Sequence, residues 1–170
     1  VPDSLLIRGG TVVNATGATP ADVLVEGDQI AAVLSPTSAV SNSITRSDTE
    51  IVDASGLYVV PGGVDVHVHL QLPMTPDATS SDTFETGSAA AAWGGTTTLI
   101  DFAGQVLGSA VRDAVDERLG EAQGQCAIDY GLHLSMGDVH DQSLKDMRAL
   151  VDEGITSFKF FMAYPGAWYS

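Results

Sequence analysis

The chain has 170 residues, of which 44% are hydrophobic, and its formal net charge at pH 7 is −15. This much apolar material is enough for a sizeable core, and the acidic charge argues against binding to nucleic acid or to anionic membrane surfaces. Cys126 is the only cysteine, which excludes an internal disulfide framework. Because neither a membrane-spanning apolar run nor a signal peptide is visible, we expect a cytoplasmic protein.

The first part of the chain consists of short apolar runs separated by turns. Residues 22–26 and 29–33 flank Gly27 and Asp28, a pair that is typical of a hairpin turn. The spacing of apolar residues changes after residues 61–63 (PGG). We therefore predict a small β-rich domain over residues 1–62.

Strand patterns and helix patterns alternate after this point. The predicted strands cover residues 64–70, 96–102, 127–136 and 155–163, and the predicted helices cover residues 83–93, 109–123 and 141–153. Asp82 and Glu85 have the spacing of a capping box at the start of the first helix. Apolar stripes that include Leu119 in the second helix, and Leu144 and Val151 in the third, are expected to face inward. This alternation predicts a parallel sheet.

Two histidines separated by one residue lie in the first of these strands, residues 61–70 (PGGVDVHVHL). Apolar residues alternate here with Asp65, His67 and His69, so these three polar residues share one face of the strand. Imidazoles at positions i and i+2 can converge on one ion, and neutral imidazole is a common ligand of zinc. The alternative is that both histidines lie on the polar face of a half-exposed strand, and the pair alone leaves that open.

The second candidate ligand is Lys159, in residues 155–162 (ITSFKFFM), which are typical of a buried strand. The other lysine, Lys145, lies in a polar helical stretch, where we expect it to be solvated. An ammonium group buried without a partner tends to lose its proton. A neutral amine can capture carbon dioxide as a carbamate, whose two oxygens can bridge two metal ions. Alternatively, Lys159 reaches past the strand end into solvent or into a salt bridge.

Six segments of the chain together resemble the dihydropyrimidinase and D-hydantoinase family of the amidohydrolase superfamily. In chain order they are residues 5–13 (LLIRGGTVV), 51–56 (IVDASG), 61–73 (PGGVDVHVHLQLP), 90–102 (AAAWGGTTTLIDF), 129–134 (DYGLHL) and 157–164 (SFKFFMAY). The resemblance implies an α/β fold in which residues 63–170 form the N-terminal part of a (β/α)8 TIM-like barrel. It also implies that residues 1–62 belong to a small β-sandwich domain.

Three βα units and a fourth strand amount to roughly half of such a barrel, which takes about 250 residues. Four strands with open edges do not close a barrel. We therefore expect the chain to be the N-terminal piece of a longer or nicked enzyme. An autonomous half-barrel that assembles with copies of itself or with a partner is the alternative.

The resemblance also implies a role for particular residues. His67 and His69 match ligands of one metal ion, and Lys159 matches the carboxylated lysine that bridges two divalent metal ions, usually zinc. Tyr164 matches a tyrosine that hydrogen-bonds the oxyanion formed from the substrate carbonyl. The family uses two further histidines and an aspartate from later strands, and these have no counterpart in the 170 residues.

Other residues are assigned to the substrate pocket or to structure. Leu72 and Phe161 match positions that line the pocket for the exocyclic substituent of the substrate ring. His133 and His140 do not match the missing ligands. We expect His133 to be a hydrogen-bonded interior histidine and His140 to lie in a loop near a helix start. Asp101 is expected to be an orienting or strand-end carboxylate.

The activity implied is metal-dependent hydrolysis of the cyclic amide bond of dihydropyrimidines or 5-substituted hydantoins to N-carbamoyl amino acids. The implied partners are a small cyclic ureide as substrate and further copies of the chain in a homotetramer. Allantoinases and dihydroorotases share the paired histidines and the lysine, but usually continue with an aromatic residue and a Glu-Pro-Gly turn. Here residues 70–73 are LQLP. Collapsin response mediator proteins share the fold without being enzymes, and they lack the paired histidines and the lysine.

Overall fold

The structure, a computed structural model, describes residues 4–36, 38, 41, 44, 49–75 and 77–163. The chain divides into two compact units, Val1–Pro61 and Gly62–Ser170. None of the helices in these described ranges is both long and apolar enough to cross a membrane.

The first unit is built around a five-stranded sheet. Its strands are β1 (Ser4–Asn14), β2 (Gly17–Glu26), β3 (Gln29–Leu34), β4 (Thr49–Asp53) and β5 (Tyr58–Val59). They lie in the order β3-β2-β1-β4, with β5 also paired to β1. Glu26 pairs with Gln29, and Gly27 has a φ of +61°, so the predicted hairpin turn is confirmed. The described residues of this unit form a single sheet, and a β-sandwich therefore remains a prediction.

The second unit is an α/β structure, as predicted. Its elements are β6 (Gly63–Asp65), β7 (Pro73–Thr75), β8 (Ala78–Thr79), α1 (Phe84–Trp93), β9 (Thr96–Gly104), α2 (Val111–Ala122), β10 (Asp129–Ser135), α3 (Asp141–Asp152) and β11 (Phe158–Lys159). Four of the strands form a parallel sheet in the order β11-β10-β9-β6. The antiparallel hairpin β7–β8 follows the histidine pair and was not predicted.

The capping box of helix α1 begins at Thr83, one residue later than the predicted start at Asp82. The hydroxyl of Thr83 accepts a hydrogen bond from the Thr86 backbone N–H at 3.1 Å. In return, the hydroxyl of Thr86 accepts one from the Thr83 backbone N–H at 3.0 Å. The prediction that Asp82 and Glu85 form the box was therefore wrong, because a threonine pair with the same spacing lies one residue further on.

One face of the parallel sheet packs against the helices and forms the core. The buried residues of this core come from both strands and helices: Ala103, Val111, Ala114, Val115, Leu132, Leu134, Met136, Leu150 and Ile155. The prediction that Leu119 faces inward was wrong, since it is 39% exposed, whereas Arg118 is only 9% exposed. Leu144 and Val151 of α3 are likewise exposed, so α3 buries a narrower stripe than predicted.

The two strands that carry the candidate ligands are shorter and more exposed than predicted. Strands were predicted over residues 64–70 and 155–163. In the structure, strand pairing in these segments is limited to β6 (Gly63–Asp65) and β11 (Phe158–Lys159). Val66, for example, is 61% exposed. The physical reason is their position, because β6 and β11 are the two outer strands of the sheet and each pairs with one strand among the described residues.

Candidate metal centre

The candidate ligands surround the ring of Phe102, near the end of β9. The ring centroids of His67, His69 and His133 lie 4.7, 4.8 and 4.8 Å from the Phe102 centroid. The Nζ atom of Lys159 lies 4.5 Å from the same centroid. The residues on either side of Phe102 are buried, so strand alternation places its ring on the face away from the helices. Sequence analysis did not single out Phe102, although the alternation of side chains along β9 was a signal that its ring lies on the open face.

The geometry of the histidine pair fits two ligands of one ion. The two Nε2 atoms are 3.2 Å apart. Two imidazole ligands of tetrahedral zinc, with Zn–N bonds of about 2.05 Å, have nitrogens separated by about 3.3 Å. His69 is half-buried, and its Nδ1 atom is buried without a hydrogen-bond partner among the described residues. The backbone N–H of His67 donates to the Asp65 carboxylate at 3.1 Å, which fixes the chain just before the pair.

The surroundings of His69 favour its neutral form. Burial lowers the pKa of His69 below its ordinary value, and the nearby charges of His67 and Lys159 lower it further, against an opposing effect of Asp101. A metal ion binds the neutral imidazole. The electrostatic environment of His69 is therefore consistent with a ligand role.

Lys159 is half-buried at the opposite edge of the sheet from the histidines. Its Nζ atom lies between two aromatic rings, 4.5 Å from the Phe102 centroid and 4.7 Å from the Phe161 centroid. No carboxylate within the described ranges forms an ion pair with it. The described residues thus offer no carboxylate partner for Lys159, and its ligand role remains a prediction. Its amine instead faces the same ring as the histidines.

A cavity of about 560 Å³ opens beside these groups. The residues that line it include His69, Gln71, Leu72, Pro73, Met74, Phe102, Gly104, Val106, Arg118, Ser135, Lys159 and Phe161. The structure thus brings Leu72 and Phe161, the two predicted pocket residues, to the same cavity as His69 and Lys159. Tyr164 lies outside the described residues, and its role remains a prediction.

Two histidines that were not expected to be ligands have structural hydrogen bonds. The Nε2–H group of His133 donates to the Val66 carbonyl at 2.8 Å, and Nδ1 is hydrogen-bonded to the Ser157 hydroxyl. His140 is the N-cap of α3, and its Nδ1 atom accepts from the Ser143 backbone N–H at 3.2 Å. Both predictions for these histidines are confirmed.

A buried ion pair supports the candidate site from the helix-covered face. Asp101 is 1% exposed and pairs with Arg118 of α2, whose guanidinium also donates to the Leu70 carbonyl. Desolvation raises the pKa of Asp101 above its ordinary value, although Arg118 opposes the rise. Asp101 precedes Phe102 and Leu70 follows His69, so one side chain stabilises both segments. Sequence analysis missed Arg118, although a carboxylate in an apolar strand is a signal for a buried cation.

The described residues include no group of three or more His, Cys, Asp or Glu side chains arranged to hold a metal ion. The paired histidines have suitable donors and spacing, but they are only two ligands. Any metal site built on this histidine pair therefore needs further ligands.

Comparison with known proteins gives consistent matches. The profile of the amidohydrolase family matches residues 58–164. The chain is 48% identical over 165 residues to D-hydantoinase from Streptomyces coelicolor, which covers 97% of this chain and 35% of that protein. It is 41% identical over 160 residues to D-hydantoinase from Geobacillus stearothermophilus, with 94% and 32% covered. A crystal structure of dihydropyrimidinase from Brevibacillus agri has a TM-score of 0.88 and 39% identity, with 98% and 35% covered. The chain spans about a third of the length of these relatives.

Proposed function

This chain belongs to the amidohydrolase family, and from that premise we propose that the protein containing it is a cyclic amidohydrolase. Its substrates are dihydropyrimidines or 5-substituted hydantoins, and its products are N-carbamoyl amino acids. The resemblance predicted from the six sequence segments is confirmed by the matches to D-hydantoinases and a dihydropyrimidinase. The observation that carries the proposal is the convergence of His67, His69 and Lys159 on the Phe102 ring, beside a cavity.

The proposed cofactor is a pair of divalent metal ions, with zinc as the metal. His67 and His69 hold one ion, and their 3.2 Å Nε2 separation supports this assignment. Lys159 would hold both ions through a carbamate, which its amine forms by adding to carbon dioxide with formation of an N–C bond and release of a proton. When bound, divalent metal ions supply hydroxide near neutral pH and polarise the carbonyl group that it attacks.

The remaining side chains bind and orient the substrate. Leu72 and Phe161 line the cavity, and we assign them to the exocyclic substituent of the ring. Tyr164 is assigned, by the resemblance, to donate a hydrogen bond to the oxygen on which negative charge develops. Opening of the ring breaks the bond between the attacked carbon and the ring nitrogen, which takes up a proton.

The proposed architecture places this chain in a larger fold. Residues 63–170 are the first half of a (β/α)8 barrel, and the four-stranded parallel sheet supports this proposal. Residues 1–62 are part of a β-sandwich. The homotetramer and the cytoplasmic location rest on the resemblance and on composition, and both remain predictions.

A substrate panel tests the function. The full protein containing this chain is loaded with Zn²⁺ and incubated separately with dihydrouracil, 5-phenylhydantoin, allantoin and dihydroorotate, and ring opening is followed by loss of ultraviolet absorbance. We expect turnover of the first two compounds. Turnover of only allantoin or dihydroorotate would assign the protein to another cyclic amidohydrolase. Absence of turnover with all four would favour an interaction protein of the collapsin response mediator type.

A further inference from the structure

Gln105 lies directly after β9 and is almost completely buried, with 2% of its surface exposed. Its side-chain amide donates to the Ser109 carbonyl at 2.8 Å and to the Asp138 carboxylate at 2.9 Å. Its Oε1 atom accepts from the backbone N–H groups of Gly137 at 2.9 Å and Asp138 at 3.2 Å. Both donors and both acceptor positions of the amide are thus used. One side chain therefore links the loop after β9 to the loop after β10.

The two loops are also packed closely together at this point. A Cβ atom added to Gly137 would lie 2.4 Å from the carbonyl oxygen of Gln105, a distance that real Cβ atoms do not adopt. The second carboxylate oxygen of Asp138 accepts from the Gly108 backbone N–H at 2.8 Å. The contact requires glycine at position 137, so it is a tight and specific junction between the ends of two strands.

The junction is adjacent to the backbone that holds Lys159. The backbone N–H of Gln105 donates to the Ser135 carbonyl at 2.9 Å, and Ser135 is the partner of Lys159 in the β10–β11 ladder. The next residue, Met136, donates its N–H to the Lys159 carbonyl at 2.9 Å. Strand β11 has two residues and pairs with β10 alone in the described part of the chain. The position of Lys159 therefore depends on the end of β10, which Gln105 fixes to β9.

We propose that Gln105 is a positioning residue that fixes Lys159 relative to the histidine pair, and so sets the geometry of the metal centre. The inference rests on the metal centre of the proposed function. Strand β9 carries Phe102, around which both histidines and Lys159 lie, and β6 pairs with β9 whereas β11 pairs with β10. A shift of the β10 end relative to β9 therefore changes the distance between the lysine and the histidines. Side chains that orient metal ligands without touching the metal typically change metal affinity 10- to 100-fold when they are replaced.

The test measures the Zn²⁺ affinity of the full protein by competition with a chromophoric chelator, after metal removal. We expect Gln105→Met to lower the affinity by about 10- to 100-fold while the protein stays folded by circular dichroism. The matched control is Gln142→Met, because Gln142 is exposed on α3 and its side-chain amide donates to Asp146 across one helical turn, at 2.7 Å. Unchanged Zn²⁺ affinity in Gln105→Met would overturn the proposal.

A charge swap separates positioning from general stability. Gln105→Glu places a second carboxylate against Asp138, and we expect it to weaken Zn²⁺ binding by repulsion at the junction. Adding Asp138→Asn restores one donor and one carboxylate between positions 105 and 138, in exchanged order, but not the bond to the Ser109 carbonyl. The double variant should therefore regain part of the affinity lost in Gln105→Glu. Failure to regain it would overturn the proposal even if Gln105→Met does not fold.

The affinity test of Gln105 can be decided separately from the proposed hydrolase activity. A wild-type protein that binds Zn²⁺ but opens no cyclic ureide would refute the proposed function, and the affinity comparison would still decide the role of Gln105. A wild-type protein without Zn²⁺ affinity would refute both.

Discussion

The two faces of the parallel sheet differ in what their side chains contact, although strand β9 contributes residues to both. On the covered face, Asp101 pairs with Arg118 and its neighbours pack beneath the helices. On the open face, Phe102 contacts three histidine rings and the amine of Lys159 beside the cavity. The difference shows that adjacent residues of one strand take part in separate sets of contacts, the buried core on one face and the proposed metal centre on the other. Substitutions on the two faces should therefore have different consequences.

The largest effect is expected from the open face, at Lys159. Lys159→Ala in the full protein removes the proposed bridging ligand, and we expect it to abolish hydrolysis and to lower the bound metal. The covered face is not touched, so thermal unfolding of the metal-free protein should change little. Turnover, metal content by atomic emission, and melting temperature are the measurements.

Lys145→Ala is the matched control for this variant, since the other lysine is exposed on α3. We expect wild-type turnover and metal content in it. Wild-type turnover and metal content in Lys159→Ala would eliminate the bridging role.

The second effect is expected from the covered face. Asp101→Ala removes the buried partner of the Arg118 guanidinium, which keeps only its more exposed ion pair with Glu121 among the described residues, and breaking a buried pair typically costs about 3–5 kcal/mol. We expect a corresponding loss in the free energy of unfolding, measured by urea denaturation of the full protein.

The double variant with Asp101→Leu and Arg118→Met sharpens this prediction. Replacing both residues by apolar ones removes the buried cation together with the carboxylate, so the double variant should be more stable than Asp101→Ala. A loss below about 1 kcal/mol in Asp101→Ala would show that the ion pair does not stabilise the covered face.

A smaller effect is expected at the start of α1, which also packs on the covered face. Thr83→Ala removes one half of the threonine capping box and should lower the free energy of unfolding by about 1 kcal/mol. Thr83→Ser keeps the hydroxyl and should retain most of the stability. Equal stability of the two variants would mean that the box does not stabilise the helix.

The smallest effect is expected at the surface pair Arg112–Glu153, which joins α2 to the end of α3 at 2.7 Å. The hydrogen bond from Arg112 lowers the pKa of Glu153 below its ordinary value of 4.5. Stabilisation by this pair is therefore present above pH 4.5 and is lost as the pH falls through the lowered pKa. Arg112→Ala should melt slightly below wild type at pH 7, and the difference should vanish on acidification. A difference in melting temperature that grows as the pH falls would contradict this expected direction.

How far the sequence predicts this structure differs from feature to feature. Alternation placed His67 and His69 on one face, and the helix and strand patterns indicated a parallel sheet, because both depend on local periodicity. The burial of Arg118 was missed, since it depends on Asp101, seventeen positions away. The lengths of β6 and β11 were overestimated, because they depend on how many neighbours each strand has. The position of Phe102 among the ligands likewise results from packing between strands.

The adjacency of Asp101 and Phe102 in β9 also constrains how the chain folds. Side chains alternate along a strand, so a slip of one residue in the pairing of β9 would exchange its two faces. The carboxylate would then lie among the histidines, and the ring would lie against the guanidinium of Arg118. Such a slip breaks an ion pair and a ring cluster together, so misregistered pairings of β9 are disfavoured by charge on one side and by shape on the other.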